Sequence, residues 1–226
     1  MFRPVLLKRT KRTSTTNLKL FPANSGPRLT VTRKLIRYAE NAPGLLSLPF
    51  FPPDFCQETV VRVRRLSWAM AQVQEEKAGG GERIYTRPRT RSASILNSAR
   101  AAEAYEQFER RINSIVKPLI KQVWRIDLNE VSGTQMIRYG KGGHYIPHAD
   151  AGRDLPERYF TVVCYLNDDF EGGDTSFPAL DSIVKPKTGQ AIIFPARYLH
   201  CAEPVTRGEK FVLITWVCGP VPIDWI

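Results

Sequence analysis

Three runs of sequence decide the fold: Tyr159-Phe-Thr-Val-Val-Cys-Tyr-Leu-Asn167, Gln190-Ala-Ile-Ile-Phe194 and Lys210-Phe-Val-Leu-Ile-Thr-Trp-Val217. Each run is short and rich in β-branched and aromatic residues, as β-strands are. Turn signals at Gly172-Gly173 and Lys187-Thr188-Gly189 lie between the first two runs, and residues 171–178 are expected to form a turn followed by a short strand. This density of strands predicts a mainly β architecture for residues 131–226.

Side-chain alternation gives the last run an unusual face. Alternate residues of a strand point to the same side, so Lys210 shares its face with Val212, Ile214 and Trp216. A lysine placed in this way can hold a buried carboxylate through a charge-assisted hydrogen bond. A lysine at a strand end can also extend its head group to solvent. The pattern alone leaves both interpretations of Lys210 open.

Two of the three histidines belong to a candidate metal site. His148 and Asp150 are two residues apart, so a strand would point both side chains to one side. His200 comes much later, in what is expected to be a loop after the run that ends at Phe194. Two imidazoles and one carboxylate are the set that holds non-haem Fe(II) and leaves coordination positions open. So short a motif is common by chance, and the interpretation depends on the surrounding residues.

The residues around this motif match a known family in order and spacing. The matching positions are Tyr139-Gly140, Tyr145, His148, Asp150, Arg158, Thr161, Tyr165-Leu166-Asn167, Gly172-Gly173, Thr175, Phe177-Pro178, Val184, Pro186, Gly189, Ala191, Phe194, His200, Pro204-Val205, Gly208 and Lys210. On these positions the stretch 136–217 resembles the prolyl 4-hydroxylase-like branch of the Fe(II)/2-oxoglutarate-dependent dioxygenases. The resemblance implies an α+β, mainly β fold, a double-stranded β-helix (jelly roll) barrel braced by N-terminal helices.

The resemblance also implies roles for individual residues. It makes His148, Asp150 and His200 the iron ligands and therefore the catalytic centre. Residues implied to bind the co-substrate 2-oxoglutarate are Lys210, Tyr165, Tyr139 and Thr161, and residues implied to face the substrate are Arg158 and Trp216. The chain departs from the family at Lys210-Phe211, where hydroxylases of collagen type usually have Lys-Trp, and this departure puts the substrate preference in doubt.

The implied activity is hydroxylation of an unactivated C–H bond, with a peptidyl proline as the leading target. It would use Fe(II), 2-oxoglutarate, O₂ and ascorbate, and it would release succinate and CO₂. The partner would then be a protein or peptide, or a small molecule. Two alternatives stay open: the same cofactors acting on a free amino acid, small metabolite or nucleobase, and a non-catalytic β-helix protein that binds or scaffolds.

The positive charge of the chain is concentrated at its N-terminus. The formal net charge is +11, and residues 1–39 contain ten Lys and Arg but no Asp or Glu. This basic extension is compatible with an organellar transit segment, with a nucleic-acid-binding arm, which is not favoured, or with a solvated terminus. No stretch approaches the roughly 20 apolar residues of a membrane span, and no secretory signal is recognised. A cytoplasmic or organellar, non-secreted protein is therefore expected.

Residues 40–130 are predicted to form a helical support region. Val63, Leu66, Met70 and Val73 form an apolar stripe that predicts one helix from about residue 54. A second stripe, at Tyr105, Phe108, Ile112, Ile115 and Leu119, predicts another helix with a kink near Pro118. The arginine-rich segment 83–94 between them is predicted to be a loop, either a lid over the active site or a solvated connection.

Overall fold

The computed structural model describes residues 35–76, 82–152 and 154–221. The strands are, in chain order, β1 (Ala39–Ala42), β2 (Leu45–Pro49), β3 (Ala69–Met70), β4 (Val73–Glu76), β5 (Glu82–Tyr85), β6 (Arg91–Ser92), β7 (Ser94–Leu96), β8 (Glu130–Tyr139), β9 (His144–His148), β10 (Arg158–Tyr165), β11 (Glu171–Gly172), β12 (Thr175–Phe177), β13 (Ser182–Val184), β14 (Gln190–Pro195), β15 (His200–Ala202), β16 (Val205–Arg207) and β17 (Lys210–Cys218). The α-helices are α1 (Pro53–Arg64), α2 (Ala102–Arg111) and α3 (Lys117–Trp124). Short 3₁₀ turns cover Ser98–Arg100 and Pro178–Leu180, and a π-helical turn covers Ile112–Val116.

Two antiparallel sheets form the barrel. The larger sheet has the order β1-β2-β14-β10-β17-β8-β7-β3, and the smaller has the order β13-β12-β15-β9-β6. Two further strand pairs, β11 with β16 and β4 with β5, stand beside them. The three runs that decide the fold are β10, β14 and β17, and they lie next to one another within the larger sheet. The predicted mainly β jelly roll is confirmed.

The central strands of the larger sheet are buried on both faces, and their alternation explains why. Phe160 and Val162 of β10 belong to a core cluster that also contains Val60 of α1 and Phe108 of α2. The intervening Val163 belongs to a second cluster, together with Ile192 and Phe177, among other residues of both sheets. The helices therefore cover the outer face of the larger sheet, and the space between the two sheets is left for a site.

The first predicted helix is shorter than expected. Helix α1 ends at Arg64, and Met70 lies in β3, where its side chain is exposed. The carbonyl oxygen of Val63 accepts hydrogen bonds from Leu66 N (3.0 Å) and from Trp68 Nε1 (3.0 Å), which turns the chain out of the helix. The prediction of a helical stripe through Met70 and Val73 was therefore wrong.

The second predicted helix is present but interrupted. A π-helical turn joins α2 to α3 directly before Pro118, whose missing N–H cannot continue the regular ladder. Tyr105 ties this helical segment to the barrel, because its hydroxyl donates to Leu96 O (2.9 Å) and accepts from Met136 N (2.8 Å). The predicted irregularity near Pro118 is confirmed.

Half of the arginine-rich segment 83–94 is strand rather than loop. It contains most of β5, all of β6 and the first residue of β7; β6 pairs with β9, and β7 pairs with β8. A loop was predicted because the segment lacks the alternating apolar residues of a buried strand. Strands at the edge of a sheet, however, often contain charged and polar residues. The loop prediction was therefore wrong for half of this segment, and Arg91 belongs to the barrel.

The basic extension is mostly outside the described residues. The larger compact unit of the chain begins at Ile36, and the basic segment before residue 35 is not covered by the description. Its targeting and nucleic-acid-binding roles therefore stay predictions. No helix in the described part of the chain is long and apolar enough to cross a membrane.

Candidate metal and co-substrate site

Strand pairing brings the two histidines together. His148 ends β9, His200 begins β15, and the two residues are direct partners in the antiparallel ladder. Asp150 follows β9, where its backbone N donates to Ala196 O (2.9 Å). His148 Nε2 lies 3.5 Å from Asp150 Oδ1, and His200 Nε2 lies 3.5 Å from Asp150 Oδ2. One ligand atom of each residue lies within 4.8 Å of the other two, so the three side chains converge on one point.

The backbone places these residues differently from the sequence-based expectation. Asp150 was expected within the same strand as His148, but β9 ends at His148 and Asp150 lies in a bend. His200 was expected in a loop, but it belongs to β15. The spacing of two residues therefore brings His148 and Asp150 together through the bend that closes the strand, and not through strand alternation.

Backbone carbonyls orient both imidazole rings. His148 Nδ1 lies 2.9 Å from Ile146 O, and His200 Nδ1 lies 2.9 Å from Tyr198 O. A carbonyl only accepts, so each Nδ1 carries a hydrogen, and the neutral form of each ring would have its metal-binding lone pair on Nε2, the nitrogen nearer Asp150. Hydrogen bonds of this kind fix the tautomer of metal-binding histidines.

The charges of the three groups suit a divalent metal. Burial raises the pKa of Asp150, but attraction by His200 and hydrogen bonds with His148 and Thr161 outweigh it and hold the pKa well below its usual value. Burial lowers the pKa of His200 despite the attraction of Asp150. An ionised carboxylate and a neutral imidazole are the forms that bind metals. The donor set therefore fits Fe(II).

Thr161 contacts the carboxylate of Asp150. Its hydroxyl donates to Asp150 Oδ2 at 2.7 Å, and both side chains are buried. Thr161 was predicted beside the co-substrate, but the described contact instead makes it a positioning residue for the candidate metal ligand. Arg158 Nη1 donates to the backbone oxygen of Asp150 at 3.2 Å, so the same aspartate is held at two points.

Thr161→Val is expected to weaken Mn(II) binding by about 10- to 100-fold, the usual cost of losing a group that orients a ligand. Calorimetric titration of the apo protein with Mn(II) measures this loss. Thr215→Val is the matched control, because its buried hydroxyl bonds to Ser132 O (3.1 Å) and Thr134 Oγ1 (2.9 Å) instead. Equal Mn(II) affinities for Thr161→Val and the unmodified chain would contradict this positioning role.

Lys210 points into the protein. Its side chain is only 2% exposed, and Nζ donates to Gly173 O at 2.6 Å. The ammonium group also lies 5.4 Å from the ring centres of both Tyr139 and Tyr165. Burial lowers the pKa of Lys210 to about 7, against the attraction of Asp174. Of the two interpretations of Lys210, the structure supports the buried cation that faces a cavity.

Gly173 shapes the position of Lys210. It has a φ of +66°, which other residues rarely adopt, and an added Cβ would lie 2.9 Å from the Phe170 ring and 3.4 Å from Lys210 Cδ. Only glycine brings its carbonyl this close to the ammonium group without displacing these side chains. This contact gives a physical reason for a glycine at this position of the family-like motif.

Thr175 reaches the cavity where Tyr165 was expected. Tyr165 is fully buried, and its hydroxyl donates to Thr175 Oγ1 at 2.8 Å. Thr175 lines the cavity beside Lys210, whereas Tyr165 lies behind it. Thr175 matches the family pattern in the sequence, but spacing alone does not show which hydroxyl of a pair faces a ligand.

One cavity contains most of the predicted site. It is lined by His148, Asp150, His200, Lys210, Tyr139, Arg158 and Trp216, among others. Val212 and Ile214 also line it, so the predicted face of β17 is confirmed. Arg158 stacks on Trp216, with the guanidinium carbon 3.6 Å from the ring centre. Of the predicted site residues, Thr161 and Tyr165 support the lining residues from behind.

Comparison with known proteins agrees with this arrangement. Residues 134–218 match the family model of the 2OG-Fe(II) oxygenase superfamily. The chain is 32% identical over 129 residues to prolyl 4-hydroxylase subunit alpha-1 of Gallus gallus, a match that covers 49% of this chain and 25% of that protein. A relative from Acanthamoeba polyphaga mimivirus is 31% identical over 128 residues. The match covers 25% of the length of the Gallus gallus protein and 53% of the length of the mimivirus protein.

Solved structures share the fold. A Pseudomonas putida prolyl-4-hydroxylase superposes with a TM-score of 0.62 at 22% identity, covering 78% of this chain and 93% of that chain. A Trichoplax adhaerens prolyl hydroxylase, solved with a hypoxia-inducible-factor peptide fragment, gives 0.61 at 18% identity, covering 77% and 83%. Residues 134–218 therefore resemble the 2OG-Fe(II) oxygenase superfamily in sequence, and the fold of the chain is that of solved prolyl hydroxylases.

Proposed function

We propose that the chain is an Fe(II)- and 2-oxoglutarate-dependent dioxygenase that hydroxylates a peptidyl proline. The observation that carries this proposal is the convergence of His148, Asp150 and His200 in one cavity with the buried Lys210. Two oriented imidazoles and an ionised carboxylate suit Fe(II), and a buried ammonium group with a single carbonyl partner suits a carboxylate.

Each part of the cavity has a task in this reaction. His148, Asp150 and His200 would hold Fe(II), which supplies the activation of O₂ when bound. Lys210 would bind the distal carboxylate of 2-oxoglutarate, with the Thr175 hydroxyl beside it. Val212 and Ile214 form an apolar wall that excludes water from the reacting groups.

A peptide is the favoured substrate because the relatives named above are prolyl hydroxylases, one of them solved with a bound peptide. Arg158 and Trp216 would face this substrate, since they form one wall of the cavity. The alternative of a non-catalytic scaffold is disfavoured because the candidate ligands and the lysine are all present and converge. A nucleobase substrate is disfavoured because nucleobase-repair relatives usually anchor the co-substrate through arginine.

The test combines two measurements on the full chain. We expect succinate formation from 2-oxoglutarate that depends on Fe(II) and is sustained by ascorbate. We also expect mass spectrometry to find one added oxygen atom in proline-containing peptides, and not in matched peptides with alanine in place of proline. Absence of iron-dependent succinate formation would refute an oxygenase. Succinate formation with oxygen added only to free amino acids would refute the peptidyl substrate.

The affinity for 2-oxoglutarate is expected to fall as the pH rises above about 7. The carboxylate attracts only the ammonium form of Lys210, and its pKa of about 7 means that the free protein loses this form as the pH rises. Binding above that pH must therefore take up a proton, and Kd should increase by up to about tenfold per pH unit. Calorimetric titration with 2-oxoglutarate in the presence of Mn(II), between about pH 6 and pH 9, measures the Kd. Repeating it in buffers of different ionisation enthalpy measures the proton uptake. A constant Kd without proton uptake would contradict this expectation.

A further inference from the structure

Arg91 is a third cationic side chain in the cavity, besides Lys210 and Arg158. It lies on β6, where it pairs with Tyr145 of β9. Its guanidinium carbon lies 5.0 Å from the centre of the Tyr145 ring, and that ring stacks on His148 with 3.5 Å between centres. One aromatic ring therefore separates Arg91 from a candidate metal ligand.

The hydrogen bonds of Arg91 leave a donor unused. Nη1 donates to Gln72 O (3.1 Å) and Nη2 to Gln135 Oε1 (3.4 Å), but the buried Nε has no partner among the described residues. Arg158 Nε and Trp216 Nε1 are likewise buried without an acceptor. All three groups can only donate, and all three belong to cavity-lining residues. Buried donors normally have partners, so a ligand with acceptor oxygens would complete them.

Charge favours an anionic ligand at this end of the cavity. Neither Arg91 nor Arg158 forms an ion pair with a carboxylate in the described part of the chain. Within that part, the only acidic residue that lines the cavity is Asp150, which belongs to the candidate metal site. Lys210 already suits the co-substrate and lies on a different sheet from Arg91. The two arginines therefore remain as a positive surface for another molecule.

We propose that Arg91 binds a carboxylate of the primary substrate, so that the chain prefers a proline with an acidic group close to it. This inference rests on the proposed function and adds the substrate class. The Arg91 guanidinium carbon lies 5.0 Å from the Tyr145 ring centre, which lies 3.5 Å from the His148 ring centre, and two residues of extended peptide span a comparable length of about 7 Å. The carboxylate would thus come from an Asp or Glu side chain within about two residues of the target, or from the C-terminus of a peptide that ends in proline.

The experiment compares peptides that carry Asp or Asn at successive positions around one proline. In the unmodified chain we expect Asp, at one or two neighbouring positions, to raise kcat/KM about tenfold over Asn. Arg91→Gln should remove this preference while leaving the Kd for 2-oxoglutarate unchanged. Arg91→Lys should retain part of it, because it keeps the charge. Arg89→Gln is the matched control, since Arg89 is exposed in the same segment, and it should keep the full preference.

Further peptides distinguish a side-chain carboxylate from a C-terminal one, and the possible results separate this proposal from the proposed function. Peptides that end in proline, either as the free acid or as the amide, test whether Arg91 binds a C-terminal carboxylate. A higher kcat/KM for the free acid that is lost in Arg91→Gln would support this form of the proposal. Hydroxylation of acidic and neutral peptides with equal kcat/KM would overturn it and leave the proposed function standing. A preference that persists in a folded Arg91→Gln would also overturn it. Failure to hydroxylate any peptide would refute the proposed function itself.

Discussion

His148→Ala is expected to reduce Fe(II)-dependent succinate formation by at least about 100-fold. Loss of a group that merely orients a metal ligand costs about 10- to 100-fold, and loss of the ligand itself should cost no less. The variant leaves one imidazole and one carboxylate, and the Tyr145 ring loses the imidazole on which it stacks. Succinate release measured with saturating 2-oxoglutarate, together with Mn(II) titration, separates lost metal binding from lost turnover.

His144→Ala is the control that makes the result interpretable. His144 lies on the same strand, but its ring nitrogens contact the backbone oxygens of Gly142 (2.8 Å) and Arg89 (3.3 Å), away from the cluster. We expect this variant to keep its metal affinity and its turnover. If His148→Ala retained normal iron-dependent turnover, the assignment of the metal site would be wrong, and with it the proposed activity.

Lys210→Met is expected to raise the Kd for 2-oxoglutarate by at least about 30-fold with the Mn(II) affinity unchanged. Removing one partner of a buried, hydrogen-bonded charge pair costs about 2–5 kcal/mol, and methionine keeps the length of the side chain but not its charge. The co-substrate carboxylate would then be buried opposite Gly173 O, another acceptor. Calorimetric titration with 2-oxoglutarate in the presence of Mn(II) measures the effect.

Stability provides a second readout for Lys210→Met. Burial lowers the pKa of Lys210, so keeping this lysine charged in the free protein reduces the free energy of unfolding. An apolar replacement of similar volume should therefore leave the Tm unchanged or higher, as replacements of buried charges often do. Lys185→Met, at an exposed position on the barrel, should change neither the affinity nor the Tm. An unchanged Kd for 2-oxoglutarate in Lys210→Met would eliminate the anchoring role.

Most of the barrel could be predicted from the sequence because its central strands have clear strand patterns. β10, β14 and β17 combine β-branched composition with turn signals at both ends, and Lys210 stands out as a cation on an apolar face. The order of these strands within the sheet is a tertiary property that no local pattern contains. The end of α1 at Arg64 depends likewise on a tertiary contact, the hydrogen bond from Trp68 to Val63 O.

The site was predictable in its residues and less so in its contacts. His148, Asp150 and His200 were recognisable from residue type and family spacing. The roles of Thr161 and Thr175 depend on which group each hydroxyl contacts, and alternation along one strand does not show the contacts made with side chains from elsewhere in the chain. Arg91 was hidden for a different reason, because its polar surroundings looked like a loop and only pairing with β9 brings it to the cavity.

The direct pairing of His148 with His200 makes this region sensitive to changes in length. An extra residue in the turn at Pro178–Leu180 could bulge outward without moving either ladder. An extra residue directly before His200 would shift the register of β15 by one position and turn the His200 side chain to the other face of the strand. Oxidation chemistry could then disappear from a barrel that still folds, so a single inserted codon is enough to turn such a protein into an inert homologue.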